Sequence, residues 1–127
     1  MKLRILDDHI RLRLDRGEVE RLARGEALEN RTRFPDGAHL SCRLSTRGRT
    51  PAADFADGTI DVRMPAARVR AWAADETAVS LHAELPHAQG QGALSLLVEK
   101  DFECLAPRPG ESQANRFTNP LRGTDRS

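Results

Sequence analysis

KLRILDDHIRLRL, residues 2–14, is the stretch that decides the fold. Leu3 and Ile5 alternate with Lys2 and Arg4, and Ile10, Leu12 and Leu14 alternate with Arg11 and Arg13. Period-two alternation puts the apolar residues on one face and the arginines on the other. Asp7-Asp8 between the two runs is a two-residue acidic turn, so the stretch predicts a β-hairpin with one wet face.

Residues 15–44 predict a helix and then a second hairpin. Asp15 is a suitable N-cap, and Glu18 three residues on completes a capping box. Val19, Leu22 and Ala23 form the apolar stripe, and Gly25 sits where a left-handed residue ends a helix. Leu28–Phe34 and Ala38–Leu44 then flank Pro35-Asp36-Gly37, a strong turn signal.

The first hairpin and helix recur 50 residues later without a gap: Asp57 matches Asp7, Ile60 matches Ile10, Arg63 matches Arg13, Val69 matches Val19, Ala73 matches Ala23 and Glu76 matches Glu26. Phe55 stands for Ile5, Val62 for Leu12, Met64 for Leu14 and Trp72 for Leu22. The second copy starts its helix with Pro65 at the first helical position, where the missing N–H is harmless. Val79, Leu81 and Ala83 alternate with Ser80, His82 and Glu84. A glycine-rich loop, Pro86–Gly92, leads to a last strand with Leu94, Leu96 and Val98 facing in.

The fold class expected is therefore α+β: a duplicated ββαββ unit with about eight short, mostly antiparallel strands and two short helices. Closure is barrel-like or two-layer, and the pattern leaves both open. Residues 1–105 read as one domain, with copy one at about 1–47 and copy two at about 51–105. Residues 106–127 read as an extended C-terminal arm, polar apart from Phe117 and Leu121, with a disordered tail.

At 127 residues the chain is long enough to bury a core without disulfides or metal. Twenty basic residues meet nineteen acidic ones, and only Lys2 and Lys100 are lysines. Without a net basic footprint, and with four Phe, one Trp and no Tyr, nucleic-acid binding is disfavoured. No apolar run has the length of a signal peptide or a membrane helix, which points to a cytoplasmic protein without membrane contact. There a disulfide between Cys42 and Cys104 is not expected.

The densest chemistry is Glu99-Lys100-Asp101-Phe102-Glu103-Cys104-Leu105 at the end of the last strand. Lys100, Asp101, Phe102 and Cys104, with Arg108 and Phe117 of the arm, are the expected residues for binding a protein or small ligand. The alternative is a zinc or copper site using Cys104, Asp101 and His87, though no CxxC or HxxxH spacing supports it. The bland reading has Phe102 and Cys104 plugging the core while the charges are solvated. Strand parity sets Cys42 with Leu40 and Leu44 on the core face and His39 on the other. Asp7-Asp8 is explained by its turn, and no nucleophile, phosphate-cradling or dinucleotide motif is present. Arg4, Arg11, Arg13, Arg31, Arg33 and Arg43 all point outward and form an anion-receiving face if their strands are neighbours.

With these motifs the chain resembles a family of small bacterial proteins of unknown function. The resemblance rests on the KLRI…IRLRL hairpin at 2–14, Thr-Arg-Phe at 32–34, Glu-Lys-Asp-Phe-x-Cys-Leu at 99–105 and Phe-x-Asn-Pro at 117–120. It implies no activity. The functional expectation is thus a non-enzymatic binding module without a cofactor, working through the C-terminal strand end and arm. A homodimer is compatible with it.

Overall fold

The computed structural model describes residues 1–101. Eight strands and two helices follow in the order β1 (Lys2–Leu6), β2 (His9–Leu14), α1 (Arg16–Ala23), β3 (Leu28–Arg33), β4 (His39–Ser45), β5 (Ala52–Ala56), β6 (Thr59–Arg63), α2 (Ala66–Ala74), β7 (Ser80–Pro86) and β8 (Ala93–Lys100). The order ββαββ thus runs twice, as expected, in an α+β fold.

The hairpins form where local sequence demands them. β1 and β2 pair antiparallel from Lys2 opposite Arg13 to Leu6 opposite His9, leaving Asp7-Asp8 as the turn. β5 and β6 repeat this around Asp57-Gly58. Asp7 and Asp57 take left-handed backbone at φ 51° and 53°, a conformation that Asp tolerates better than most residues.

Helix α1 is fixed at both ends. Glu18 N–H donates to Asp15 Oδ1 at 2.8 Å and Asp15 N–H donates back to Glu18 Oε1 at 3.0 Å, the reciprocal bonds of a capping box. At the other end Glu26 N–H reaches Arg21 O at 3.0 Å and Gly25 N–H reaches Leu22 O at 2.9 Å, with Gly25 at φ 95°. That is a Schellman close, and it turns the chain sharply into β3. Replacing Asp15 by Ala is expected to lower stability by about 1 kcal/mol in urea denaturation. Helix α2 has no such start: Pro65 stands at the N-cap rather than inside the helix, and contributes no side-chain bond.

The hairpins then assemble in a way local pattern does not reveal. One sheet has the order β1-β2-β8-β7 and the other β3-β4-β6-β5. β2 runs parallel to β8, and β4 parallel to β6. Each sheet therefore takes one hairpin from each half of the chain, and each helix carries the chain from one sheet to the other. The sheets are mixed, not purely antiparallel, and both are open, so no closed barrel forms among the described residues.

Their apolar faces meet in one core. Ile10, Leu12, Leu14, Val19 and Leu22 are buried, and so are the residues matched to them, Ile60, Val62, Met64, Val69 and Trp72. The correspondence reaches the backbone: Ser95 N–H donates to Asp8 O and Ser41 N–H to Gly58 O, both at 2.8 Å. Ile5 and Phe55 depart from the expected core pattern, being 51% and 68% exposed. They are matched to each other, so the departure itself is symmetric. Val79 also faces solvent, because β7 begins one residue later.

With β2 parallel to β8 and β4 parallel to β6, the four hairpin turns gather at one end and the helices at the other.

Candidate functional site

The helix end holds a cleft of about 250 Å³, lined by Leu14 at the end of β2, Arg16, Val19 and Glu20 of α1, Ala73 and Glu76 at the end of α2, and Lys100 and Asp101. Leu14, Val19 and Ala73 make it apolar in part. Two cations and three carboxylates surround them.

Lys100 and Asp101 are held firmly. Lys100 N–H donates to Val79 O at 3.0 Å, and its Nζ donates to Asp75 O at 2.8 Å while lying 5.4 Å from the centre of the Trp72 ring. The ammonium thereby satisfies the end of α2 and sits over an aromatic face. Thr77 lowers the Asp75 carboxyl below its ordinary range, its hydroxyl donating at 2.7 Å and its N–H at 3.0 Å, and Lys100 adds to the effect. Asp101 extends the β2–β8 ladder, its N–H donating to Leu14 O at 2.8 Å. Its side chain is buried, and the Lys2 ammonium reaches its Oδ2 at 3.1 Å from across β2.

Of the expected binding residues, Lys100 and Asp101 are therefore brought together, at the strand end anticipated for them. Phe102, Cys104, Arg108 and Phe117 lie outside the described residues. Of the expected metal set, Cys104 is outside the described residues, and His87 and Asp101 are placed apart. His87 is in the β7–β8 turn, its ring 3.4 Å from Asp8 Oδ2. Asp101 stands beyond the far end of β8, eight residues long, which separates the two by about 26 Å at ~3.3 Å per residue. One ion cannot bind both. Among the described residues no group of three or more His, Cys, Asp or Glu side chains is placed to hold a metal.

The arginine face is also divided. Arg4, Arg11 and Arg13 belong to one sheet, and Arg31, Arg33 and Arg43 to the other. Glu99 bridges Arg13 at 3.0 Å and Arg11 at 3.7 Å, and Glu29 lies 3.8 Å from Arg31. Such pairing is that of an ordinary solvated surface.

Cys42 is buried on the core side, as its parity indicates, and burial pushes its thiol up from 9.0 to about 11, with Asp61 adding to it. A thiol held neutral is a poor nucleophile. In a Cys104→Ser background, Cys42 is expected to resist Ellman's reagent at pH 8 until the protein is unfolded. The folded state favours the neutral thiol, so this contribution to stability is complete below pH 9 and is lost as pH rises through about 11.

Arg16, Glu20 and Glu76 are not legible in the sequence as neighbours of Lys100. Only the parallel pairing of β2 with β8 brings α1 beside the end of β8, and no local signal encodes that pairing. The lining contains no His, Cys, Ser, Thr or Tyr.

Fold and cleft together define a small two-sheet α+β domain with a charged, partly apolar recess where its two helices meet the strand ends. The chain belongs to DUF7009, a family of unknown function, which it matches over residues 1–121. Neither the curated proteins nor the solved structures contain a match to it. No helix among the described residues is long and apolar enough to cross a membrane.

Proposed function

We propose that this protein is a non-enzymatic cytoplasmic binding module whose partner, a protein or small ligand, is taken up at the helix-end cleft. The observation that carries the reading is the cleft itself, with Lys100 and Asp101 immobilised at its wall and the chain leading from them into Phe102, Cys104 and Arg108. Preorganised charges beside an apolar floor favour an occupant with both characters, since neither group must be ordered on binding. The lining among the described residues has no hydroxyl, thiol or imidazole, and its Lys100 ammonium is engaged with Asp75 O, which supports binding over catalysis. The two halves are best explained as copies of one ancestral ββαββ unit, and only the second copy supplies the cleft's strand-end charges.

Native mass spectrometry of protein purified from its own host is the test. Removing residues 106–127, or making Lys100→Glu, is expected to strip the partner that the full chain carries. If both variants keep every co-purified partner, the reading is wrong.

A further inference from the structure

At the end away from the helices the two sheets leave an apolar mouth. Ile5, Ile10 and Leu94 from one sheet and Leu40, Phe55 and Ile60 from the other line a recess of about 400 Å³. Single exposed apolar side chains are ordinary, but here Phe55 and Ile5 converge over one recess at 68% and 51% exposure. They come from matched positions in the two hairpins, so the opening is built into the fold.

Charge within the turns themselves has one sign, and Arg33 at the end of β3 is a cation beside them. The turns carry Asp7, Asp8, Asp36 and Asp57, all exposed, and no Lys or Arg. His87, beside Asp8, is the sole histidine in these turns. Asp54 lies in the wall and is paired with Arg63. An apolar recess next to turns that carry carboxylates fits an occupant that presents apolar side chains flanked by cations.

This chain contains such a segment, Arg116-Phe117-Thr118-Asn119-Pro120-Leu121-Arg122. Phe117 and Leu121 are the only large apolar residues after residue 105, and Arg116 and Arg122 bracket them. The family match runs to residue 121, so both belong to the length the family shares. Reach is ample. Phe117 is sixteen residues beyond Asp101, about 50 Å of extended chain at ~3.3 Å per residue, against the ~26 Å length of β8.

We propose that the mouth is the docking site for residues 116–122 of the same chain, with Phe117 entering between Ile5, Phe55 and Ile60 and the two arginines facing the turn carboxylates. Tethering raises the effective concentration of the segment far above that of a second copy, which favours docking within one chain. This goes beyond the binding reading above and stands independently of it: it assigns Phe117 to the protein's own mouth rather than to a partner.

Methyl NMR of the full chain tests it. Cross-peaks are expected between the Phe117 ring and the methyls of Ile5, Ile10 or Ile60, unchanged on dilution. Phe117→Ala is expected to remove them and shift the mouth methyls, while Leu14 and Leu22 at the helix end keep their positions and report an intact fold. Arg116→Glu with Arg122→Glu is expected to weaken the same cross-peaks. Mouth methyls unmoved by Phe117→Ala would overturn the proposal. So would cross-peaks found only between differently labelled chains, since the occupant is then a second copy. Loss of a partner on deleting the arm bears on the cleft alone, so the two readings can fail separately.

Discussion

Gly58→Ala is expected to destabilise the protein by about 2–4 kcal/mol, far more than a turn glycine ordinarily would. Gly58 sits at φ +74°, and a Cβ added there would lie 2.8 Å from the backbone oxygen of His39. Left-handed backbone alone costs a residue with a Cβ about 1–2 kcal/mol. The contact adds to this because its other partner cannot yield. His39 opens β4, which is held on one side by β3 and on the other by β6, and Ser41 N–H is bonded to Gly58 O itself. Gly25→Ala is the control: its φ is +95°, but nothing lies within 4 Å of the added Cβ, so only the backbone term of about 1–2 kcal/mol applies. Urea titrations with equal m-values would compare the two directly. Equal losses would show that the contact with His39 carries no energy.

That turn also shows where sequence stops being informative. Asp57-Gly58 is legible as a tight turn because its chemistry is local, and so are the Asp15–Glu18 box and the Gly25 close. Each involves residues within five positions of one another. The pairings β2–β8 and β4–β6 are different in kind. Arg13 opposite Glu99 and Leu44 opposite Val62 depend on how two amphipathic hairpins choose partners, and alternation alone makes every hairpin an acceptable neighbour. Barrel-like closure is thus an open expectation that only the assembled sheets remove. The cleft follows the same division. Lys100 and Asp101 stand out by density of charge, whereas Arg16, Glu20 and Glu76 become relevant only once α1 lies over the end of β8. The mouth is hidden for a further reason. Ile5 and Phe55 satisfy the core pattern fully, and they are exposed because β1 and β5 are edge strands, while the residues paired with them on β2 and β6, Ile10 and Ile60, are buried.

Trp72→Ala is expected to cost about 3–5 kcal/mol, and Trp72→Phe less than about 1.5 kcal/mol. Trp72 is 3% exposed and stands in the core where α2 packs, so truncation to Ala leaves a cavity the neighbours cannot refill. Phe behaves differently because of a second feature of the site. The Trp72 indole N–H is buried and has no acceptor among the described residues. A buried donor left unpaired is worth about 1–3 kcal/mol of instability, so removing it offsets much of the area lost with the indole. Lys100 separates the structural from the functional role of this residue. Its Nζ keeps its bond to Asp75 O with either aromatic ring and loses only part of its attraction to the ring face. The Phe variant should therefore fold with an intact cleft and bind as the wild type does. The Ala variant should lose stability and, in whatever fraction remains folded, the support beneath Lys100. A Phe variant as unstable as the Ala variant would mean that the indole nitrogen is satisfied in solution and that the whole bicyclic ring is required.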